Sequence, residues 1–545
     1  MLEKKTFMLA NSCVRVYYYS QGEKTAVKRL TTSIYSFEKI INEEKLYVDK
    51  TEYIWNLIQD AGTYFLARPR RFGKSLTVST LEAVFQGKKE LFKGLAIYDK
   101  PYDWKPHPVI HLDFANCMAQ TADELDAFIF DKLAMTAAQF GLELQGSSNP
   151  TRFERLIGDL SRQDSVVILV DEYDKPILNN VKNPNVDGIL SVLKAFYSTI
   201  KLCGEKERFA FITGVSKFSH VSLFSGMNNP SDLTMRSDYA TMLGFTQAEF
   251  EANYAEYIDV AVRKLGISRD AFLEKMKTWY DGYKFSGNAE TVYNPVSVSK
   301  FFESPDPQFS NYWFSTATPT FLLEYCRNSS FDFKNMLTDP VPEIAFDAYE
   351  LDSIDPLALF LQTGYLTIKN TTIRKDRIYY YLGFPNEEVQ WSFEMYLLNV
   401  YTGYRSKEIS STVEALIRNL GSGNVNEVER IVKNFFANFP YAIQLKDEKY
   451  YQSVFYALFY LIGIDIEAEV YTNDGRIDTT IEEGDWRYIF EFKLNQTSEI
   501  ALDQIEKKDY FRKYLGSGKR IMIVGANFDF EKRQISDWKT REVGR

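Results

Sequence analysis

A chain of 545 residues with 45% hydrophobic and 15% aromatic side chains exceeds one ordinary core and is far from the composition of disordered proteins. Its net charge of -10 argues against a polycation that coats nucleic acid, though not against a local basic groove. Four cysteines without C-x-x-C spacing and only three histidines exclude a zinc ribbon and a disulfide framework, so any metal must rest on carboxylates.

No apolar run reaches the roughly 18 to 20 residues of a membrane span, and the thiols read as free groups in a reducing compartment, so the expectation is a cytoplasmic protein without a membrane partner. The start, MLEKKTFMLANSCVRVYYYS, is charged, but its apolar patches are too short for a signal peptide, and residues 1–28 read as an appended extension.

From residue 29 strands alternate with helices. SIYSFEKIINEEKLYVDKTEYIWNLIQDAG predicts a helix, a short strand and a second helix; TYFLARPRRFGKSLTVSTLEAVFQG predicts a strand, a basic loop and a helix. PVIHLDFA, DSVVILVDEYDKPI and RFAFITGVSKFS are further buried strands, separated by the helical TADELDAFIFDKLAMTAAQFG and DGILSVLKAFYSTIK. Such alternation over 29–250 predicts a doubly wound parallel sheet.

The loop RPRRFGKSL falls where a strand meets a helix, and its stretch Arg71, Phe72, Gly73, Lys74, Ser75, Leu76 ends like a phosphate loop. The chemistry asks for a glycine that lets the backbone approach, a lysine for the β and γ phosphates, and a hydroxyl for Mg2+. Arg68 stands where the first glycine of G-x-x-x-x-G-K-S would be, so the loop alone fits a plain basic turn equally well. VVILVDEYD then offers Asp171 to Mg2+ and Glu172 to the attacking water. Both motifs end predicted parallel strands, where such sheets bind ligands, and ATP is the expected cofactor. Thr213 or Ser216 is a candidate γ-phosphate sensor, against an ordinary turn hydroxyl. Arg208 and Arg236 are both open as fingers within a homo-oligomer.

Past residue 250 come helices and aromatic loops, TWYDGYKFSG, VYNPVSVSKFF and YWFSTATPTFLLEY. LFLQTGYLTIKNTTIRKDRIYYYLGFPNEEV adds a strand pair like the wing of a small helical domain, so 251–390 is expected to be a helical, winged-helix-like lid region, and 391–440 a helical linker. The last segment, 441–545, opens with the helix-like KYYQSVFYALFYLIG and continues with strands, the helix ALDQIEKKDYFRKYLG and the buried strand RIMIVGANF.

In GRIDTTIEEGDWRYIFEFK, Gly484-Asp485 signals a type II′ hairpin. Pairing outward sets Thr479 opposite Phe490, Asp478 opposite Glu491 and Ile477 opposite Phe492, with one apolar face of Ile477, Thr479, Ile481, Tyr488, Phe490 and Phe492. The other face carries Asp478, Glu491 and Lys493. Opposed carboxylates destabilise a bare sheet unless they share a divalent cation, and Lys493 is then placed to orient the attacking water. The same register opposes Arg476 to Lys493, which a bound phosphodiester or a bulge near Gly475 would relieve. Each carboxylate singly fits a solvated strand face; the constellation favours a metal site.

GRID followed by EFK resembles the core of PD-(D/E)XK nucleases, and ALDQIEKKDY resembles the helix that follows it. Together with YVDKTEYI, RPRRFGKSL, LVDEYDKPI, ITGVSKFS, YNPVS, YWFSTATPTF and PNEEV, the chain from about 29 to 535 is similar to a bacterial family joining an AAA-ATPase-like domain to a PD-(D/E)XK nuclease domain. The resemblance implies a P-loop NTPase-like domain and a C-terminal α/β restriction-endonuclease-like domain. It gives Lys74, Ser75, Asp171 and Glu172 the ATP and Mg2+ roles, Asp478 and Glu491 the nuclease metal (Mg2+ or Mn2+), Lys493 the water and Gln504 a supporting position near substrate. A further acidic residue belongs to the motif: Glu469 is the choice, with Glu467 or Asp465 as alternates in GIDIEAEV. The family shares the arginine at the first loop position. The implied function is an ATPase whose nucleotide state governs a nuclease acting on DNA. The rivals are a nucleotide-dependent switch or scaffold whose nuclease-like domain binds nucleic acid or a protein partner without cutting, and a metabolic kinase that would leave the C-terminal hairpin idle.

Overall fold

The computed structural model describes residues 17–20, 23–26, 28–181, 183–202, 204–217, 230–313, 339–346, 356–402, 406–437, 455, 458–459, 465–472, 475–529, 531–532 and 534–544. The chain divides into two compact units, Met1–Trp313 with Phe346–Ile354 and Gln362–Thr367, and Phe314–Ala345 with Asp355–Leu361 and Ile368–Arg545. Of the N-terminal extension, Tyr17–Ser20 and Glu23–Ala26 form an antiparallel pair. The predicted loop after Trp313 and most of the helix at 449–463 lie outside the described residues; 455 and 458–459 are helical.

The first unit is built on five parallel strands. Helices and strands alternate as β1 (Thr63–Ala67), α1 (Lys74–Phe85), β2 (Val109–Asp113), α2 (Ala122–Gln139), α3 (Asn149–Leu160), β3 (Val166–Asp171), α4 (Val186–Leu202), β4 (Glu207–Gly214) and β5 (Ser231–Asp232). The spatial order is β2-β3-β4-β1-β5, and every pair is parallel. All six residues of β3, VVILVD, are buried, as a β-branched run covered on both faces requires. On one face Phe65, Ile110, Leu112, Ile168, Val170 and Ile212 form a core with α2, α3 and α4. On the other face lies α1, with Phe85 against Phe209 of β4 at 5.0 Å. Strand order turns back between β4 and β1, so the C-terminal ends of β1, β3 and β4 open on one crevice.

Before β1 lie the two predicted helices, Phe37–Asn42 and Thr51–Ile58, with an isolated bridge at Lys45 in place of the expected short strand. After β5 come α5 (Gln247–Asn253), α6 (Ala255–Leu265), α7 (Arg269–Tyr280) and α8 (Pro295–Glu303). Their core of Phe250, Tyr254, Phe272, Met276, Tyr280 and Phe301 absorbs the aromatic residues of the predicted loops. The YNPVS motif is a helix start: Asn294 Oδ1 accepts from the Val296 and Ser297 amides, and Pro295 opens α8.

The second unit contains a small sheet and a large one. The small sheet joins β6 (Val341–Pro342) to a hairpin; helix α9 (Pro356–Thr363) precedes that hairpin, which consists of β7 (Thr367–Arg374) and β8 (Arg377–Gly383), in order β6-β8-β7. The stretch predicted as a helical linker forms α10 (Glu387–Thr402), α11 (Ser406–Ser422) and α12 (Val425–Ala437).

The large sheet runs β9 (Asp465–Thr472), β10 (Gly475–Glu483), β11 (Trp486–Leu494), β12 (Arg520–Asp529) and β13 (Gln534–Gly544) in that order, with α13 (Ser498–Lys507) between β11 and β12. Only β11 and β12 are parallel, and α13 supplies the crossover that a parallel pair demands. Ile489, Ile521 and Ile523 pack under Leu502 and Ile505 of α13. Phe490 and Phe492 face the other way, against Phe455 at 4.9 and 4.7 Å.

Candidate functional sites

The phosphate-type loop connects β1 to α1. Arg71 (φ 71°) and Gly73 (φ 99°) both take left-handed backbone, and α1 begins at Lys74. The Lys74 ammonium is buried and donates to the carbonyls of Arg68 and Pro69, each at 3.0 Å. Burial pulls its pKa down, while Glu172, Asp171 and Asp174 oppose that fall. The two bonds lie within the loop's own backbone, so an incoming phosphate oxygen would replace carbonyls and not a carboxylate.

Arg68 holds the position of the missing glycine and is fully buried. Its guanidinium donates to Ala67 O (2.9 Å), Thr234 O (2.6 Å) and Tyr239 O (3.1 Å), and lies 4.3 Å over the Phe285 ring. Burial lowers its pKa to about 9, with Asp232 opposing. The side chain is thus spent on tying the loop to the segment after β5.

At the end of β3, Asp171 is buried and hydrogen-bonded to Ser75, which pairs the two residues expected at one Mg2+. Burial raises the Asp171 pKa; Ser75 and Lys74 oppose the rise. Glu172 is half-buried with left-handed backbone (φ 51°), and its amide donates to Asp171 Oδ1 at 3.0 Å. The Thr213 hydroxyl is fully buried and donates to Leu66 O at 2.8 Å, inside the sheet. Ser216 donates its hydroxyl to Asp174 Oδ2 at 2.7 Å. Arg208, at the start of β4 and thus at the strand end away from Asp171, donates to Ile58 O at 2.7 Å. Arg236 pairs with Asp238.

One residue of this site was not assigned from the sequence. Asp174, three residues past Asp171, is buried and accepts from the Val215 amide (3.0 Å), the Ser216 amide (2.8 Å) and the Ser216 hydroxyl. It clamps the end of β4 to the loop after β3. The third carboxylate of VDEYD was its only signal. Next to the loop lies a cavity of about 140 Å³, bounded by Arg71, Phe72, Gly73 and Leu76 on one side and by Lys50, Met242 and Val296 on the other.

In the second unit the hairpin has the expected turn. Gly484 has φ 58° and Asp485 is not left-handed, which is the type II′ pattern. The pairs Glu483–Trp486 through Thr479–Phe490 follow the predicted register. There the ladder closes. Asp478 and Glu491 stand one step beyond it, and Asp478 Oδ2 accepts from the Phe492 amide at 2.9 Å. Three expectations are thereby corrected: Asp478 is not ladder-paired with Glu491, Ile477 is not paired with Phe492, and Ile477 packs with Ile489, Leu502 and Ile505 instead of on the phenylalanine face. The reason is that a side-chain carboxylate takes the amide that would have extended the ladder.

Glu491 is 1% exposed and accepts from Lys493 Nζ at 2.8 Å. On the adjoining strand its register partner is Gly525. On the far side, Ala468–Thr479 and Val470–Ile477 bracket Glu469 and Asp478, so Glu469 stands at the level of Asp478, whereas Glu467 pairs with Thr480 and Asp465 with Glu482. The side chains of Glu469 and Arg476 lie outside the described residues. Gln504 is half-buried on α13. Among the described residues no three carboxylate, histidine or cysteine side chains form a cluster able to hold a metal. The donor set present, two carboxylates beside a lysine, is hard oxygen chemistry that suits Mg2+ or Mn2+ and does not suit a thiophilic ion.

Residues 31–224 match the family model described as Predicted AAA-ATPase, and residues 446–538 match that of the PD-(D/E)XK nuclease superfamily. The chain is also similar to an uncharacterised protein in the vnfD 5′ region of Azotobacter chroococcum mcd 1, at 34% identity over 533 residues, covering 95% of this chain and 99% of that protein. No described helix is long and apolar enough to cross a membrane.

Proposed function

Since the chain belongs to the family that joins a predicted AAA-ATPase domain to a domain of the PD-(D/E)XK nuclease superfamily, we propose that it binds ATP with Mg2+ and hydrolyses DNA phosphodiester bonds under control of the nucleotide. The observation that carries the nuclease reading is that the β10–β11 ladder ends at Thr479–Phe490, immediately before Asp478 and Glu491, with Asp478 bonded to the Phe492 amide and Glu491 to Lys493. A ladder that ended for structural reasons alone would gain nothing from a fully buried glutamate beside a lysine.

Asp478 and Glu491 are the residues to hold Mg2+ or Mn2+, with Glu469 as the third carboxylate. A divalent cation held there acidifies a water and neutralises charge on the scissile phosphate. Lys493, released from Glu491, donates to the attacking water or to a phosphate oxygen, and Gln504 helps to orient the substrate. The new P–O bond forms to the water oxygen as the bond to the leaving sugar oxygen breaks, and the water proton passes to solvent or to that oxygen.

In the first unit Lys74 exchanges its two loop carbonyls for β and γ phosphate oxygens, Ser75 and Asp171 take Mg2+, and Glu172 polarises the water. The cavity beside Gly73 receives the base and ribose. A second reading, a nucleotide-dependent switch with slow hydrolysis, is favoured by the tethering of Lys74 and the arginine in the loop, because a switch needs only two states of different affinity.

The test is incubation of the purified protein with plasmid and linear DNA, with Mg2+ or Mn2+, with and without ATP. Asp478→Ala is expected to remove cleavage, at least about a hundredfold, and to leave ATP binding intact. Lys74→Ala is expected to cancel the effect of ATP. Cutting by Asp478→Ala at the parental rate would end the nuclease assignment, and a parent that binds ATP but cuts no DNA with either metal would favour the switch.

A further inference from the structure

In a chain of net charge -10, the hairpin of β7 and β8 stands apart: Lys369, Arg374, Lys375 and Arg377 are exposed, with a single carboxylate, Asp376, among them. Its turn, Lys375-Asp376, has positive φ at both residues (50° and 59°), the type I′ geometry of a two-residue loop. That loop makes Arg374 and Arg377 the first cross-strand pair. Alternation then sets Asn370, Thr372, Arg374, Arg377, Tyr379 and Tyr381 on one face.

Contacts agree with this face. Arg374 lies 5.9 Å from the Tyr379 ring centre and donates to the Tyr381 hydroxyl at 3.3 Å. On the opposite face Tyr380 and Leu382 are buried, while Ile373 beside the turn is exposed. Among the described residues, no carboxylate pairs with Arg374, Lys375 or Arg377. Two arginines directly opposed on an exposed ribbon repel each other and lower the stability of the hairpin. An anion with more than one charged oxygen relieves that repulsion.

We propose that this ribbon is a contact element for duplex DNA, its Arg374 and Arg377 face meeting backbone phosphates as the two strands enter a groove. The inference rests on the nucleic-acid substrate proposed above and assigns the binding surface that the nuclease residues do not supply. A two-stranded ribbon fits the major groove of B-DNA, about 12 Å wide, whereas the major groove of duplex RNA is too narrow. The neighbouring helix α9 is excluded as the groove element: PLALFLQT has no charged residue, and Ala358, Leu359 and Phe360 are buried. With its arginines meeting backbone phosphates, which carry no sequence information, the face predicts affinity with little sequence preference.

The test uses the full-length protein in EDTA, so that binding is read without turnover. A labelled duplex of about 30 base pairs is titrated at several salt concentrations by fluorescence anisotropy. R374A/R377A is expected to weaken binding about tenfold and to lower the slope of log K against log salt by about 2, while R374K/R377K keeps the parental slope. Melting temperatures of both variants no lower than the parent's exclude misfolding as the cause. Unchanged affinity and slope in R374A/R377A, no binding of duplex DNA by the parent, or dependence on the arginines for duplex RNA alone would each overturn the proposal. The two readings separate: binding that depends on the ribbon in a protein that never cuts would sink the nuclease reading alone, and normal cutting with binding indifferent to the ribbon would sink this one alone.

Discussion

Arg68 and Glu207 illustrate how single side chains in the first unit are governed by burial more than by their class. An arginine at the first loop position looks like a defect in a phosphate loop, yet its guanidinium is consumed by three backbone carbonyls and an aromatic ring, so it acts as an anchor for the segment that follows β5. Glu207, at the start of β4, has its pKa pushed up to about 7 by burial, with the Thr63 hydroxyl at 3.2 Å opposing. The folded protein therefore keeps a proton that the unfolded chain has already released, and Glu207 lowers stability progressively as pH rises from the usual carboxylate range through about 7. Glu207→Gln, which stays neutral, should gain on the order of 2 kcal/mol at pH 8 and nothing near pH 4.5. Chemical denaturation at the two pH values checks this; an equal gain at both would refute a raised Glu207.

Elements supply the next level of control, and α13 is the clearest case. It rests on the sheet at Gly525, the register partner of Glu491, where a Cβ would stand 2.3 Å from Ser498 O and 3.1 Å from Ala501 Cβ. The absence of a side chain lets the first turn of α13 lie against the strand next to the acidic site. Gly525→Val should push the helix away and cost about 3 kcal/mol. The expected record is a lower melting temperature for the second unit with unaltered nucleotide affinity. A variant as stable as the parent would mean that α13 does not need this approach. Much at this level could be read in the sequence. The buried run of β3, the α1 start after Gly73 and the Gly484-Asp485 turn are local patterns, and each is found where it was expected. The end of the ladder at Thr479–Phe490 could not be read, because the competitor for the Phe492 amide is a side chain on another strand.

At the scale of the molecule, two units with separate cores carry the phosphate-type loop and the acidic end of the β10–β11 ladder respectively. Ligands that bind only the folded form stabilise the unit that holds them. Calorimetry is therefore expected to resolve two transitions, with ATP added at constant Mg2+ raising one and Mn2+ added to metal-free protein without nucleotide raising the other by a few degrees. Lys74→Ala should abolish only the first shift, and Asp478→Asn only the second. A single transition moved by both ligands in both variants would contradict independent sites.

By itself the sequence determined the parallel-sheet domain, the phosphate-type loop, the acidic strand end and the hairpin register from Thr479 to Glu483, because each is written in the periodicity or turn chemistry of a continuous stretch. Only the tertiary structure decided what Arg68 is for, that Asp174 clamps Val215 and Ser216, and that Asp478 closes a ladder in place of a backbone group. These outcomes depend on polar groups from remote segments competing for the same few buried donors and acceptors, and no local pattern records who wins that competition.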